Sequence, residues 1–169
     1  MTGVQTCALP IFERLAAGEI DLLSTDHCEF DLRTKAAASA GGFAAVPNGC
    51  GGVGERLVVS HSLGVMTGKL SPATWIKVLA EQPAALMGLA GRKGRLEAGY
   101  DADIVLFDPQ ASYRWEPLGR SDRAGSLWSG LPVQGAVRDV WLRGHQVVSR
   151  GRLTLDQPGG AFLERRFTD

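Results

Sequence analysis

The sequence predicts an α/β chain whose helical first part gives way to a β-rich second part near Gly91. Three features point there. Residues 12–26 read as a helix tail, a brief loop and an apolar strand, one α-to-β step of an α/β fold. Ser71-Pro72 opens a helix with a hydroxyl cap followed by a ring-fixed first residue. Beyond residue 92, short apolar stretches gather around turn residues in the manner of strands. The 22 glycines among 169 residues agree, being too many for a helical bundle.

Each element has its own signal. Phe12-Glu13-Arg14-Leu15-Ala16-Ala17-Gly18 is a helix end, with Phe12, Leu15 and Ala16 on one face and Gly18 as stop. Glu19–Thr25 is a buried strand candidate running into Asp26-His27-Cys28. Residues 31–54 hold Gly41-Gly42, Pro47-Asn48-Gly49 and Gly51-Gly52, and are expected to be a long loop, which in a compact domain usually serves function. Glu55–Met66 has helical apolar spacing up to Gly68. The Ser71 helix continues through Trp75, Ile76, Leu79 and Ala80 until Pro83 breaks or kinks it, leaving a last turn before Gly91. Leu96–Tyr100 and Ala102–Pro109 read as strands. Val137–Arg143 and Gln146–Ser149 read as a hairpin closed near Gly144. The expected organisation is therefore 12–91 as the α/β part, 92–150 as the β part and 151–169 as an exposed tail.

The first residues stand apart. Met1–Ile11 has no charge, no periodicity and none of the three regions of a secretory signal. It resembles the translation of a common short-read sequencing adapter, codon by codon from Thr2 to Ile11. Residues 1–11 are accordingly expected to be foreign, and the native chain to start at Phe12 as a cut gene.

Composition excludes several classes. Eighteen basic residues balance eighteen acidic ones, which argues against a nucleic-acid binder working through a broad basic face. No apolar run is long enough to span a bilayer. Three scattered cysteines, Cys7 among them, make no disulfide framework, and a cytoplasmic setting follows.

Chemistry concentrates at Asp26. A carboxylate after a buried strand can bind a metal and carry a proton, because barrel enzymes place such groups at strand ends. It can equally cap the following loop, and the residues alone leave both open. His27 is expected to be a hydrogen-bonding neighbour and Cys28 a small buried apolar group, since successive residues on a strand face opposite ways. Pro47-Asn48-Gly49 is a turn signal that can also offer backbone groups to a polar ligand. His61 and His145 are expected to be structural or exposed. Gly91-Arg92-Lys93-Gly94 lacks the spacing of a phosphate loop and reads as a basic turn.

Taken in order, several of these segments form a pattern. They are Ser24-Thr25-Asp26-His27-Cys28-Glu29-Phe30, Lys35, Phe43–Gly49, Gly52–Leu57, Gly64-Val65 and Gly68–Ser71, then Pro83–Leu89, Arg92–Leu96 and Gly99–Pro109. The pattern resembles the C-terminal part of the cyclic amidohydrolases, in particular their dihydropyrimidinase/hydantoinase branch. The run from Lys93 to Asp108 marks the wider superfamily, and the Pro-Asn-Gly loop before Glu55-Arg56 points to the branch.

The resemblance implies the C-terminal piece of a metal-dependent (β/α)8 barrel, followed by strands of a small β-sandwich domain. It implies two divalent metal ions, usually zinc, bridged by hydroxide and a carboxylated lysine. Asp26 matches the residue that ligates one metal and moves the proton from the attacking hydroxide to the leaving nitrogen. Asn48 matches the residue whose backbone holds the cyclic amide or imide of a dihydropyrimidine or hydantoin. The family's H-x-H pair, its carboxylated lysine and two later histidine ligands have no counterpart in this sequence. The chain by itself is thus expected to be inactive and to bind no metal, as part of a cytoplasmic homo-oligomeric parent, dimer or tetramer. A dihydroorotase- or allantoinase-like enzyme and a non-catalytic scaffold homologue are the competing readings.

Overall fold

The structure, a computed structural model, describes residues 3–28, 30–116, 126–154 and 159–165, with side chains from residue 10 onward. Glu29, Pro158 and Arg166, which figure in the sequence patterns above, lie outside the described residues. Among the described residues, five helices and a four-stranded antiparallel sheet make up the fold: α1 (Gly3–Ala17), α2 (Leu32–Ala38), α3 (Arg56–Ser60), α4 (Pro72–Ile76), α5 (Gln82–Leu86), then β1 (Ile104–Arg114), β2 (Pro132–Leu142), β3 (His145–Ser149) and β4 (Arg152–Leu153). The strands lie in chain order, a meander joined by local turns. No described helix is long and apolar enough to cross a membrane.

Helix α1 reaches back to Gly3, within the segment expected to be foreign, and carries Pro10. Its end is built as the sequence predicts. Gly18 adopts φ +75°, its amide bonds to the Leu15 carbonyl at 3.2 Å, and the Glu19 amide to Arg14 at 2.9 Å. These two bonds satisfy carbonyls that the helix leaves open, and only glycine takes that φ without strain. Phe12 and Leu15 are buried, while Ala16 is exposed.

The expected strand over Glu19–Thr25 is not formed. The segment runs extended without ladder partners, bonding once to the helical layer through the Leu23 amide and the Val78 carbonyl at 3.0 Å. A parallel strand needs neighbouring strands on its edges. The described residues offer only a single bridge, His27 to Cys50. The region expected as a long loop is in turn more ordered than its composition suggests. Asp31 caps α2 by accepting the Thr34 amide at 2.6 Å, and two single turns, Ser39–Gly41 and Phe43–Ala45, follow.

Both middle helices continue through a widened turn. After α3, the Met66 amide reaches the His61 carbonyl five residues back. After α4, the Gln82 amide reaches Lys77 in the same way. Pro83 has no amide hydrogen to offer Leu79, and the widened turn absorbs that lost bond, so α4 runs into α5 rather than breaking. Ser71 caps α4 as predicted, its hydroxyl accepting the Thr74 amide at 3.0 Å.

The predicted strand at Leu96–Tyr100 is absent, and the β part begins at Ile104. Residues 92–101 fold as turns instead, with the Asp101 amide on the Arg92 carbonyl at 2.9 Å and Lys93 between Asp101 and Asp103. Leu96 is largely exposed, so this stretch has no apolar face to bury. The hairpin is as predicted: β2 and β3 meet through Arg143 and Gly144, both at positive φ, the geometry that matches strand twist. Past Gly151, Arg152–Leu153 pair with β3, so the tail begins as a strand edge before its exposed part at Phe162.

Helices and sheet share their interior. Phe12, Leu15, Leu70, Trp75, Val78 and Leu79 form one cluster, and Val58, Trp115 and Val133 another, with Phe107 of β1 packed against both. His61 seals this junction. It is buried edge-on to Trp75 and Phe107, and its Nδ1 lies 2.7 Å from the Gln134 carbonyl.

Candidate active-site loop and hollow

The polar end of the extended segment faces an open hollow of about 490 Å³. Its walls come from the start of α1's packing face (Ile11, Phe12), from Leu23–His27, from Gly49–Gly52, from one side of α3 (Glu55, Arg56, Val59) and from Leu127-Trp128. The volume falls in the range of small-molecule sites, and the mostly apolar lining with few polar groups is typical of them.

Asp26 lies exposed on this hollow. Its carboxylate makes no hydrogen bond to any described residue, so the capping alternative finds no support in the contacts. His27, half-buried beside it, accepts the Gly52 amide at Nδ1 over 3.0 Å, with the Val53 amide at 3.4 Å. That bond leaves the proton of the neutral ring on Nε2. His27 is therefore the hydrogen-bonding neighbour expected from sequence. Cys28 is half-buried rather than fully enclosed, and its amide donates to the Cys50 carbonyl at 3.0 Å. Cys28 and Cys50 are both free thiols.

Asn48 is exposed at the rim, next to Gly49, which does line the hollow. The loop around it is shaped by a residue whose role sequence spacing did not signal. Lys35 of α2 sends its ammonium to the carbonyls of Pro47 and Gly49, at 2.7 and 2.6 Å. Gly49 sits at φ +93°, where a Cβ would lie 2.3 Å from the Cys28 Cβ, so only glycine lets these two chains approach. Glu55 stands in the Gly52–Leu57 part of the family pattern, which gave it no role of its own. It is buried, accepts the Trp115 indole N–H at 2.9 Å and the Ser126 hydroxyl, and so ties the floor of the hollow to the sheet. A buried carboxylate next to an indole has no sequence signature when the partners stand sixty residues apart.

His61 and His145 stay away from the hollow, the first structural and the second exposed at the start of β3. The basic turn at Arg92-Lys93 is neutralised by Asp101 and Asp103. Among the described residues no group of three or more His, Cys, Asp or Glu could hold a metal ion. Asp26 is a single carboxylate on the hollow, whereas a catalytic metal pair requires several protein ligands. The residues present do not make up a two-metal site.

The chain is 37% identical over 153 residues to a D-phenylhydantoinase of Escherichia coli O127:H6, covering 90% of this chain and 33% of that protein. Among solved structures, a D-hydantoinase superposes with a TM-score of 0.87 at 33% identity, over 94% of this chain and 35% of that one. A D-hydantoinase (dihydropyrimidinase) from Thermus sp. gives 0.81 at 30% identity, over 86% and 32%. The L-hydantoinase (dihydropyrimidinase) of Arthrobacter aurescens gives 0.77 at 30% identity, over the same shares. The chain thus spans about a third of the length of the curated relatives it matches. Residues 8–147 match the Amidohydrolase family, and with most of its length inside that match the chain belongs to the amidohydrolases.

Proposed function

We propose that this chain is the C-terminal part of a longer enzyme that opens the ring amide or imide bond of a dihydropyrimidine or hydantoin. The observation that carries this reading is the placement of Asp26. An exposed carboxylate ends an extended segment, faces a hollow of ligand size, and stands beside a loop pinned with its Asn48 at the rim. The names of the relatives supply the substrate class. The complete enzyme would hold two divalent metals, zinc being the expected ion, with Asp26 as one ligand and the others from outside this chain. Bound metal would supply activated water at neutral pH. Asp26, for its part, takes the proton of the attacking water and returns it to the ring nitrogen as the C–N bond breaks. Asn48 offers backbone groups to the ring amide. The parent enzyme is a cytoplasmic homo-oligomer, dimer or tetramer, in this reading, and residues 1–11 are translated adapter.

The test is the complete gene. The recovered protein should hydrolyse dihydrouracil or hydantoin in preference to dihydroorotate and allantoin. Asp26→Ala should lower turnover by about a thousandfold, the middle of the range for a lost acid–base group. Near-normal turnover in that variant would remove Asp26 from the mechanism. Preference for dihydroorotate would overturn the branch. An open reading frame that continues differently upstream of Phe12 would support the adapter assignment, and an intact native transcript encoding Met1–Ile11 would refute it.

A further inference from the structure

We propose that Lys35 is the positioning residue of the substrate loop, acting by gripping the carbonyls on both sides of Asn48. This deepens the reading of Asn48 as the substrate-holding residue and rests on it. The ammonium is a pure donor with three N–H groups. Two of them meet the carbonyls of Pro47 and Gly49, at 2.7 and 2.6 Å, across twelve and fourteen residues of chain. Both bonds are charge-assisted and partly buried, which places them among the stronger hydrogen bonds a loop can make. Among the described residues no carboxylate pairs with Lys35, so its charge is met by these carbonyl dipoles.

The consequence is geometric. With the carbonyls before and after Asn48 drawn to one point, the peptide between them has little freedom to rotate. The opposite side of the loop is closed as well. Gly49 is packed against Cys28 too closely for any Cβ, and the Cys50 carbonyl accepts the Cys28 amide. Lys35 fixes the first half of the loop, and Cys28 and His27 fix the second through Cys50 and Gly52. Lys35 itself is anchored on α2, whose first turn is capped by Asp31. The ammonium therefore acts through the loop on a ligand without touching it.

The test compares Lys35→Met and Lys35→Arg. Amide hydrogen exchange of the chain reads the loop without any substrate. In Lys35→Met, exchange of the two bonded amides of the loop, Gly52 on His27 and Cys28 on the Cys50 carbonyl, should accelerate about tenfold or more, the loss expected for a hydrogen bond to a charged group. Exchange at residues 58–64 of α3 and its widened turn should stay within about twofold. Lys35→Arg keeps the charge and the donors, and should recover most of the loop protection. Unchanged loop exchange in Lys35→Met would overturn the proposal. So would loss of protection throughout α3, because Lys35 would then be a determinant of the whole fold. In the complete enzyme, Lys35→Met should raise KM for the cyclic amide about tenfold while kcat stays within about threefold, a loss of ground-state positioning. Faster loop exchange with unchanged KM would keep the clamp and remove Asn48 from substrate binding.

Discussion

Gly135 of β2 is a position where one added methyl should be costly. It is buried at φ +105°, at the irregularity where β1 and β2 lose register between Asp108 and Ser112. A Cβ there would stand 2.4 Å from Phe107 Cζ, 2.7 Å from Cε1 and 2.8 Å from His61 Nδ1. Two terms add in Gly135→Ala. A side chain at positive φ costs about 1–2 kcal/mol. Overpacking against two rings costs about 1–3 kcal/mol, because Phe107 and His61 are themselves wedged against Trp75. The sum is about 2–5 kcal/mol, or a fall in Tm of about 4–20 °C for a chain of this size. Gly144→Ala is the internal control. Gly144 has φ +82° and nothing within 4 Å of its Cβ position, so it pays only the backbone term. Thermal unfolding followed by circular dichroism should rank Gly135→Ala well below Gly144→Ala. Adding Phe107→Leu should bring the cost of Gly135→Ala close to that of the control, as coupling between contacting residues requires. If Gly135→Ala melted no lower than Gly144→Ala, the close junction of helices and sheet at His61 would be wrong.

Three further outcomes are expected. Trp115→Phe removes the indole donor to buried Glu55 and should cost about 2–3 kcal/mol in urea unfolding, the range for a hydrogen bond to a charged group; a loss below half of that would mean the indole bond contributes little. Gly49→Ala should cost about 2–5 kcal/mol, from a side chain at positive φ plus overpacking against Cys28, and should raise KM of the complete enzyme by displacing Asn48; an unchanged KM would separate loop geometry from binding. The Lys93 clamp should act over a defined pH window. Hydrogen bonds from Lys93 and then Arg92 hold the Asp101 carboxyl below its ordinary 3.8, so its contribution is complete above that value and is lost as pH falls through the lowered one. Burial opposes the charge on Lys93, but Asp101 and Asp103 outweigh it and hold the ammonium above 10.5, so its contribution is complete below that value and fades at higher pH. Lys93→Met should therefore melt below wild type at neutral pH, with the gap closing in strong acid and strong alkali; a gap independent of pH would assign the loss to packing.

What could be read from the sequence was local. Gly18 and Ser71-Pro72 announced helix ends because each satisfies backbone groups within a few residues of itself, and the structure shows those bonds. The hairpin at Gly144 was legible for the same reason. The two missing strands fail in different ways. Glu19–Thr25 has the right side chains and lacks neighbours to pair with, a requirement its own residues cannot express. Leu96–Tyr100 has some strand character, yet ion pairs from Lys93 and Arg92 to Asp101 hold the chain folded back on itself. The order found in 31–45 was concealed by composition, although Asp31 three residues ahead of Thr34 is a capping signal in plain view.

The site divides along the same line. Asp26 was conspicuous as a carboxylate at the end of an apolar segment, and its exposure on the hollow is what the structure adds to the proposal. Asn48 was legible as a turn residue, and the family pattern is what makes it the proposed ligand-holding one. What orients Asn48 was not legible, since it depends on contacts made at a distance. Lys35 reaches it across a dozen residues, and Cys28 closes on Gly49 from twenty-one residues away. Neither contact leaves a spacing rule in the chain, because the reach of a lysine fits many positions. Yet these two contacts decide whether the Pro-Asn-Gly turn is one of the many that carry no function or one that presents a fixed peptide to a ligand. A turn held only by its own residues can exchange conformations freely. One gripped on both flanking carbonyls and walled by a glycine that tolerates no side chain is held in one conformation, which is the property the proposed binding role of Asn48 requires.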